Sequence, residues 1–133
     1  MSRSAIYTAN TGSQSVVVGG IISPGSIIRR YGSNVTLSGN GITLSGTGYY
    51  SADVSVTVNA TVAGSIGIQL YKDGSAIPGA SAIGTAAEAG NAVNLSIVAL
   101  LKNVCCESLS SLTVVLTNGA GTVTNIGMVV TKE

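Results

Sequence analysis

Residues 49–58 alternate without a flaw. Tyr50, Ala52, Val54, Val56 and Val58 hold one phase, and Tyr49, Ser51, Asp53, Ser55 and Thr57 hold the other. Side chains that sort by polarity with a period of two describe an extended strand, one face in a core and the other outside it. The period returns at Ile66, Ile68 and Leu70, and at Val93, Leu95, Ile97, Ala99 and Leu101. It returns again at Leu112, Val114 and Leu116, and at Ile126, Met128 and Val130.

Turn-forming residues separate these runs. Asp73-Gly74 follows the second run and Asn118-Gly119 closes the fourth. Val35 and Leu37 are expected to pair with Ile42 and Leu44 across Ser38-Gly39-Asn40-Gly41, a hairpin signal because Gly and Asn accept positive φ. Residues 4–8 and 14–18 read as edge strands, and 27–31 as a further strand. Residues 80–91 are rich in Ala, which favours helix, but Gly84 and Gly90 argue for a loop. Gly39-x-Gly41 and Gly119-x-Gly121 lack the Lys-Ser/Thr of a phosphate loop and belong to turns. Short strands with turn signals about every 8–12 residues predict an all-β sandwich or barrel. Eight to ten antiparallel strands in one domain over residues 1–133 predict a jelly-roll sandwich, which protects most of its edges. Residues 1–12, short and polar, are expected to form an N-terminal arm or anchor.

Composition decides what such a domain can do. Only 8% of the residues are charged and 45% are hydrophobic, against about 25% charged in an ordinary soluble domain. That is too little charge to cover a monomer, so part of the surface is expected to be hidden in a homo-oligomer. The chain has no His, which removes Ser-His and Cys-His nucleophiles. Asp53, Asp73, Glu88, Glu107 and Glu133 stand far apart, whereas a glycosidase needs two carboxylates on one bond. The expectation is therefore no enzyme, no cofactor and no metal. Cys105-Cys106 is the only cysteine pair. Neighbours in a strand face opposite ways, so two reduced thiols are expected. Six basic residues against five acidic ones, with Arg29-Arg30 the only adjacent basic pair, make no basic stripe for nucleic acid. No apolar run reaches the roughly 18–20 residues of a membrane span. Residues 1–7 lack the apolar core of a secretory signal, so synthesis in the cytoplasm is expected.

The outward phases are small and mildly polar: Tyr49-Ser51-Asp53-Ser55-Thr57, Thr113-Val115-Thr117 and Asn125-Gly127-Val129-Thr131. Such faces suit packing against identical neighbours, with hydroxyls paired across the contact. The only aromatics are Tyr7, Tyr31, Tyr49, Tyr50 and Tyr71. Tyr50 falls on the core phase, whereas Tyr7 and Tyr49 are interface candidates. Asp53 is the one charge inside the alternating strand. It is either solvated or buried where copies meet, and a buried carboxylate would need a cation or an Arg, with Arg3, Arg29 and Arg30 as candidates.

Three stretches together resemble a C1q/TNF-like domain. They are Gly48-Tyr49-Tyr50-Ser51-Ala52-Asp53-Val54-Ser55-Val56, Ile68-Gln69-Leu70-Tyr71-Lys72-Asp73-Gly74, and Asn125-Ile126-Gly127-Met128-Val129-Val130. The chain departs from that family in having no Phe and no collagen-like Gly-x-y stalk. The resemblance implies a ten-stranded jelly roll that trimerises about a three-fold axis and binds through loops without catalysis. It places residues 49–58, 112–116 and 125–131 at the trimer contact, with Tyr7, Tyr49, Ser51, Asp53, Ser55, Val115, Asn125 and Val129 as interface residues. Residues 72–80 and 80–91 become outward loops. Small versions of this kind are similar to bacteriophage virion proteins (capsid decorations, head fibres, receptor-binding tips) and to spore-surface domains. Capsid proteins and a host surface glycan are then the partners implied beyond the chain itself. A stand-alone carbohydrate- or receptor-binding module is the alternative.

Overall fold

A computed structural model describes residues 4–103 and 110–132. Arg3, the Cys105-Cys106 pair, Glu107 and Glu133 lie outside the described residues. The described chain holds twelve strands and no helix. They are β1 (Ser4–Asn10), β2 (Gln14–Val16), β3 (Ile21–Ile22), β4 (Ser26–Tyr31), β5 (Val35–Ser38), β6 (Gly41–Leu44) and β7 (Gly48–Ala60). Then come β8 (Gly64–Lys72), β9 (Ser75–Ala86), β10 (Ala92–Asn103), β11 (Ser110–Thr117) and β12 (Gly121–Lys132). The excess over the expected eight to ten is β2 and β3, of three and two residues.

All pairings are antiparallel, in two sheets. One runs β10-β7-β12-β1-β4, with β2 added to the start of β12. The other runs β5-β6-β11-β8-β9, with β3 added to β11. The alternating residues meet between them. Tyr50, Val54, Val56, Ile126, Met128 and Val130 from the first sheet face Ile42, Leu44, Ile66, Ile68, Leu70, Leu112 and Leu116 from the second, all buried. Strand faces that sort cleanly by polarity can stack in only one register, because a one-residue slip would turn the whole apolar set outward.

The expected turns form. Val35 pairs with Leu44 and Leu37 with Ile42. Asp73 and Gly74 take φ of 52° and 82°, the two left-handed residues of a tight hairpin turn. The Asp73 carboxylate accepts the Ser111 N–H at 2.9 Å, tying this turn to the start of β11.

Three expectations need correction. Residues 4–8 are not an edge strand, and of the arm expected over residues 1–12 the stretch Ser4–Asn10 is part of the sheet, while residues 1–3 lie outside the described residues: β1 lies between β12 and β4. Its inward residues are Ser4, Ile6 and Thr8, all buried, so two polar side chains hide the alternation. Most of residues 72–80 and 80–91 is not outward loop, because β9 spans Ser75–Ala86 on the edge beside β8, leaving the Asp73-Gly74 turn and residues 87–91 as the exposed connections. Only Ala80 and Ala86 of β9 are buried. Without a sustained apolar phase, this strand is held mainly by its ladder. The register shifts where Pro78 and Gly79 bulge out, and the Gln69 side-chain amide fills the gap, reaching the Ile77 and Ala80 carbonyls at 2.9 and 3.2 Å. Finally, the strand expected over 14–18 ends at Val16; Val17 and Val18 are exposed.

Candidate assembly face

The outer face of the first sheet collects the unusual residues. Because β7 sends Ala52 and Val54 into the core, Ser51, Asp53 and Ser55 point away from it. The register extends this across the sheet. Asp53 pairs with Val98 on one side and Val129 on the other, Val129 with Tyr7, and Tyr7 with Arg29. One lateral row therefore reads Val98, Asp53, Val129, Tyr7, Arg29 over all five strands. The row on one side reads Leu100, Ser51, Thr131, Ala5, Tyr31, and that on the other Ser96, Ser55, Gly127, Ala9, Ser26. Beyond it, the Thr57 hydroxyl donates to the Asn94 side-chain oxygen at 2.7 Å, beside Asn125. At the far end, the Lys102 ammonium sits 5.5 Å from the centre of the Tyr49 ring.

This face carries apolar surface that solvent does not explain. Val98 and Leu100 are 72% and 67% exposed, and Tyr7, Tyr31, Tyr49 and Val129 are exposed beside them. Two grooves share Tyr7 and Val129. The larger, of about 490 Å³, is edged by Asp53, Ser55, Ser96, Val98 and Asn125. The smaller, of about 300 Å³, runs between Ala5, Arg29 and Tyr31. Single exposed apolar side chains are ordinary, but a contiguous set marks an interaction surface.

Seven of the eight interface candidates from the sequence, Tyr7, Tyr49, Ser51, Asp53, Ser55, Asn125 and Val129, lie together on this face. Val115 does not. It is on β11 in the opposite sheet, paired with Ile21 of β3 and with Gln69, and it is 9% exposed. Residues 112–116 are accordingly separated from the other two candidate strands. Alternation tells which way a side chain points within a sheet, but not which sheet the strand joins. Val98, Leu100 and Tyr31 were missed. The signal for the first two was present: residues 97–101, Ile-Val-Ala-Leu-Leu, are apolar in both phases, the mark of a strand covered on both faces.

The chemistry on offer is binding chemistry: apolar area, several hydroxyls, one carboxylate, one guanidinium and, at the far end, the Lys102 ammonium. Among the described residues there is no cluster of three or more His, Cys, Asp or Glu side chains.

No family model and no curated protein matches the sequence. Solved structures do match. Murine APRIL superposes with a TM-score of 0.71 over 96% of this chain and 98% of that one, at 14% identity. The globular domain of zebrafish complement 1qA gives 0.65 over 96% and 94%, at 8% identity. The PRD1 vertex protein gives 0.61 over 97% and 96%, at 16% identity. The fold is the C1q/TNF-like jelly roll. Within that jelly roll, the conspicuous apolar face is the outer surface of the sheet that holds β1, β7 and β12.

Proposed function

We propose that the protein is a non-enzymatic structural subunit that assembles as a homotrimer through the outer face of its first sheet, and that it serves on a virion surface. The observation that carries the reading is the exposed set Tyr7, Tyr31, Val98, Leu100 and Val129 on one sheet face, three of which, Tyr7, Val98 and Val129, line one groove, in a chain with 8% charge. Burying that set removes apolar area from water, and aromatic residues are enriched at such contacts. The likeness of the fold to TNF and C1q domains, a resemblance that implies three copies, and its likeness to a vertex protein support the trimer and the virion setting by analogy. The expected partners are further copies of this chain, then capsid proteins. Synthesis in the cytoplasm followed by release with a particle suits this role.

Light scattering coupled to size exclusion tests the reading. The expected mass is that of three chains, persisting on dilution; a stable monomer refutes it. A second reading, a carbohydrate-binding module, is favoured by the larger groove, where Tyr7 meets Asp53, Ser55, Ser96 and Asn125. It requires saturable glycan binding by the isolated monomer.

A further inference from the structure

Asp53 is exposed in the middle of the apolar face and no ion pair joins it to a described residue. Covering the face with another copy strips water from this carboxylate, which is costly unless a cation replaces the water. The same lateral row supplies one. Arg29 ends the row that contains Asp53, with Val129 and Tyr7 between them. Three interstrand steps of about 4.8 Å put the two positions roughly 14 Å apart, too far for an ion pair within one chain.

We propose that Asp53 of one copy pairs with Arg29 of a second copy when the faces meet. The occupant of the face is thus another copy of this chain, and the argument is charge complementarity. One carboxylate and one guanidinium sit at the two sides of an apolar strip, so each copy offers both halves of the pair. Every copy in a closed assembly then gives one Asp53 and one Arg29, so each carboxylate in the row meets a guanidinium. A contact that set Asp53 against Asp53 would bury two like charges and is disfavoured, so the pair fixes the register in which copies meet. Arg29 suits the task because its planar guanidinium can hold a carboxylate through two hydrogen bonds.

This inference rests on the proposed self-association through this face, and charge-swap variants separate the two. Asp53→Arg and Arg29→Asp are each expected to weaken assembly at least tenfold, read as the concentration at which the mass falls to one chain. The double swap, Asp53→Arg with Arg29→Asp, is expected to restore assembly to within about threefold of the parent, since the pair is rebuilt in reverse. Both positions are exposed in the single chain, so each variant should still fold and keep the parent's far-ultraviolet circular dichroism spectrum, even where lost assembly lowers its Tm. If the parent is a monomer, both readings fail. If the parent assembles and the double swap is no better than the singles, the pair is refuted while self-association stands.

Discussion

Removing the Tyr50 hydroxyl should cost little, and the structure says why. Tyr50 is fully buried at the start of β7. Its hydroxyl lies 2.8 Å from the Ser45 carbonyl and 3.0 Å from the Gly46 carbonyl, and its single proton is shared between them. Tyr50→Phe would normally orphan buried acceptors, at about 1–3 kcal/mol each. Here each carbonyl has a second donor: the Asn34 amide reaches Ser45 O at 2.6 Å and the Asn103 amide reaches Gly46 O at 3.4 Å. Only the net worth of one hydrogen bond is lost, about 1 kcal/mol, or about 3–5 °C in Tm for a domain of this size. Tyr50→Ala, which empties the ring's volume, should cost about 3–5 kcal/mol. Urea unfolding of the three proteins at neutral pH makes the comparison. A Phe variant as damaged as the Ala variant would refute the claim that Asn34 and Asn103 share these acceptors.

The same residue supplies a pH signature. Burial raises the Tyr50 phenol above its ordinary value of 10.0. Below that pH it is neutral in both folded and unfolded chains, and its contribution is fully present. Above it the unfolded chain ionises first, so stability falls as pH rises through the raised folded value. The stability gap between parent and Tyr50→Phe should therefore narrow above pH 10.0, and a gap that stays constant to high pH would contradict a buried, neutral phenol.

Other outcomes follow from the packing. Gln69→Leu removes the amide that serves the Ile77 and Ala80 carbonyls, and should cost about 1–3 kcal/mol in denaturant while exposing the β9 bulge to proteolysis. Gly67→Ala places a Cβ 2.7 Å from the Ala82 carbonyl oxygen and 2.8 Å from the Thr117 hydroxyl. It should cost about 2–3 kcal/mol by overpacking, whereas Gly39→Ala, with open space around it but a φ of 59°, should lose only about 1 kcal/mol. Val98→Ser with Leu100→Ser removes the most exposed apolar ridge of the assembly face. It should yield a folded monomer with the parent's far-ultraviolet circular dichroism spectrum but a lower Tm, since the stabilisation from assembly is lost, with mass by light scattering as the check.

The alternating strands were legible because their two faces have different surroundings. Residues 49–58 pack on a core on one side and lack one on the other, so polarity records both. Where that contrast fails, so does the pattern. β9 has little core contact on either side, and its Ala and Gly residues look like loop. β1 has a core side, but Ser4 and Thr8 occupy it beside Ile6. Sheet membership was not legible at all, because a period of two is the same in either sheet, and this misplaced Val115. The apolar face was legible only in part. Asp53, Tyr7 and Val129 stood out as residues, while the row that joins them exists only through strand register.

The pairing of β1 with β12 reaches beyond the finished structure. Ser4 sits opposite Lys132 and Asn10 opposite Ile126, so the first described strand, which meets β4 on one side, finds its other neighbour only in the last. β12 also separates β1 from β7, and until it arrives both present open edges. Closing so long a loop is slow in entropic terms, and sheets dominated by distant pairings fold in milliseconds to seconds. A growing chain can assemble the β5–β6 and β8–β9 hairpins and pair β1 with β4 and β7 with β10 as they emerge, but the two halves of the first sheet must wait for β12 to join them. Ribosomal arrest before residue 121 would leave a nascent chain with two sticky strand edges, a natural client for chaperones.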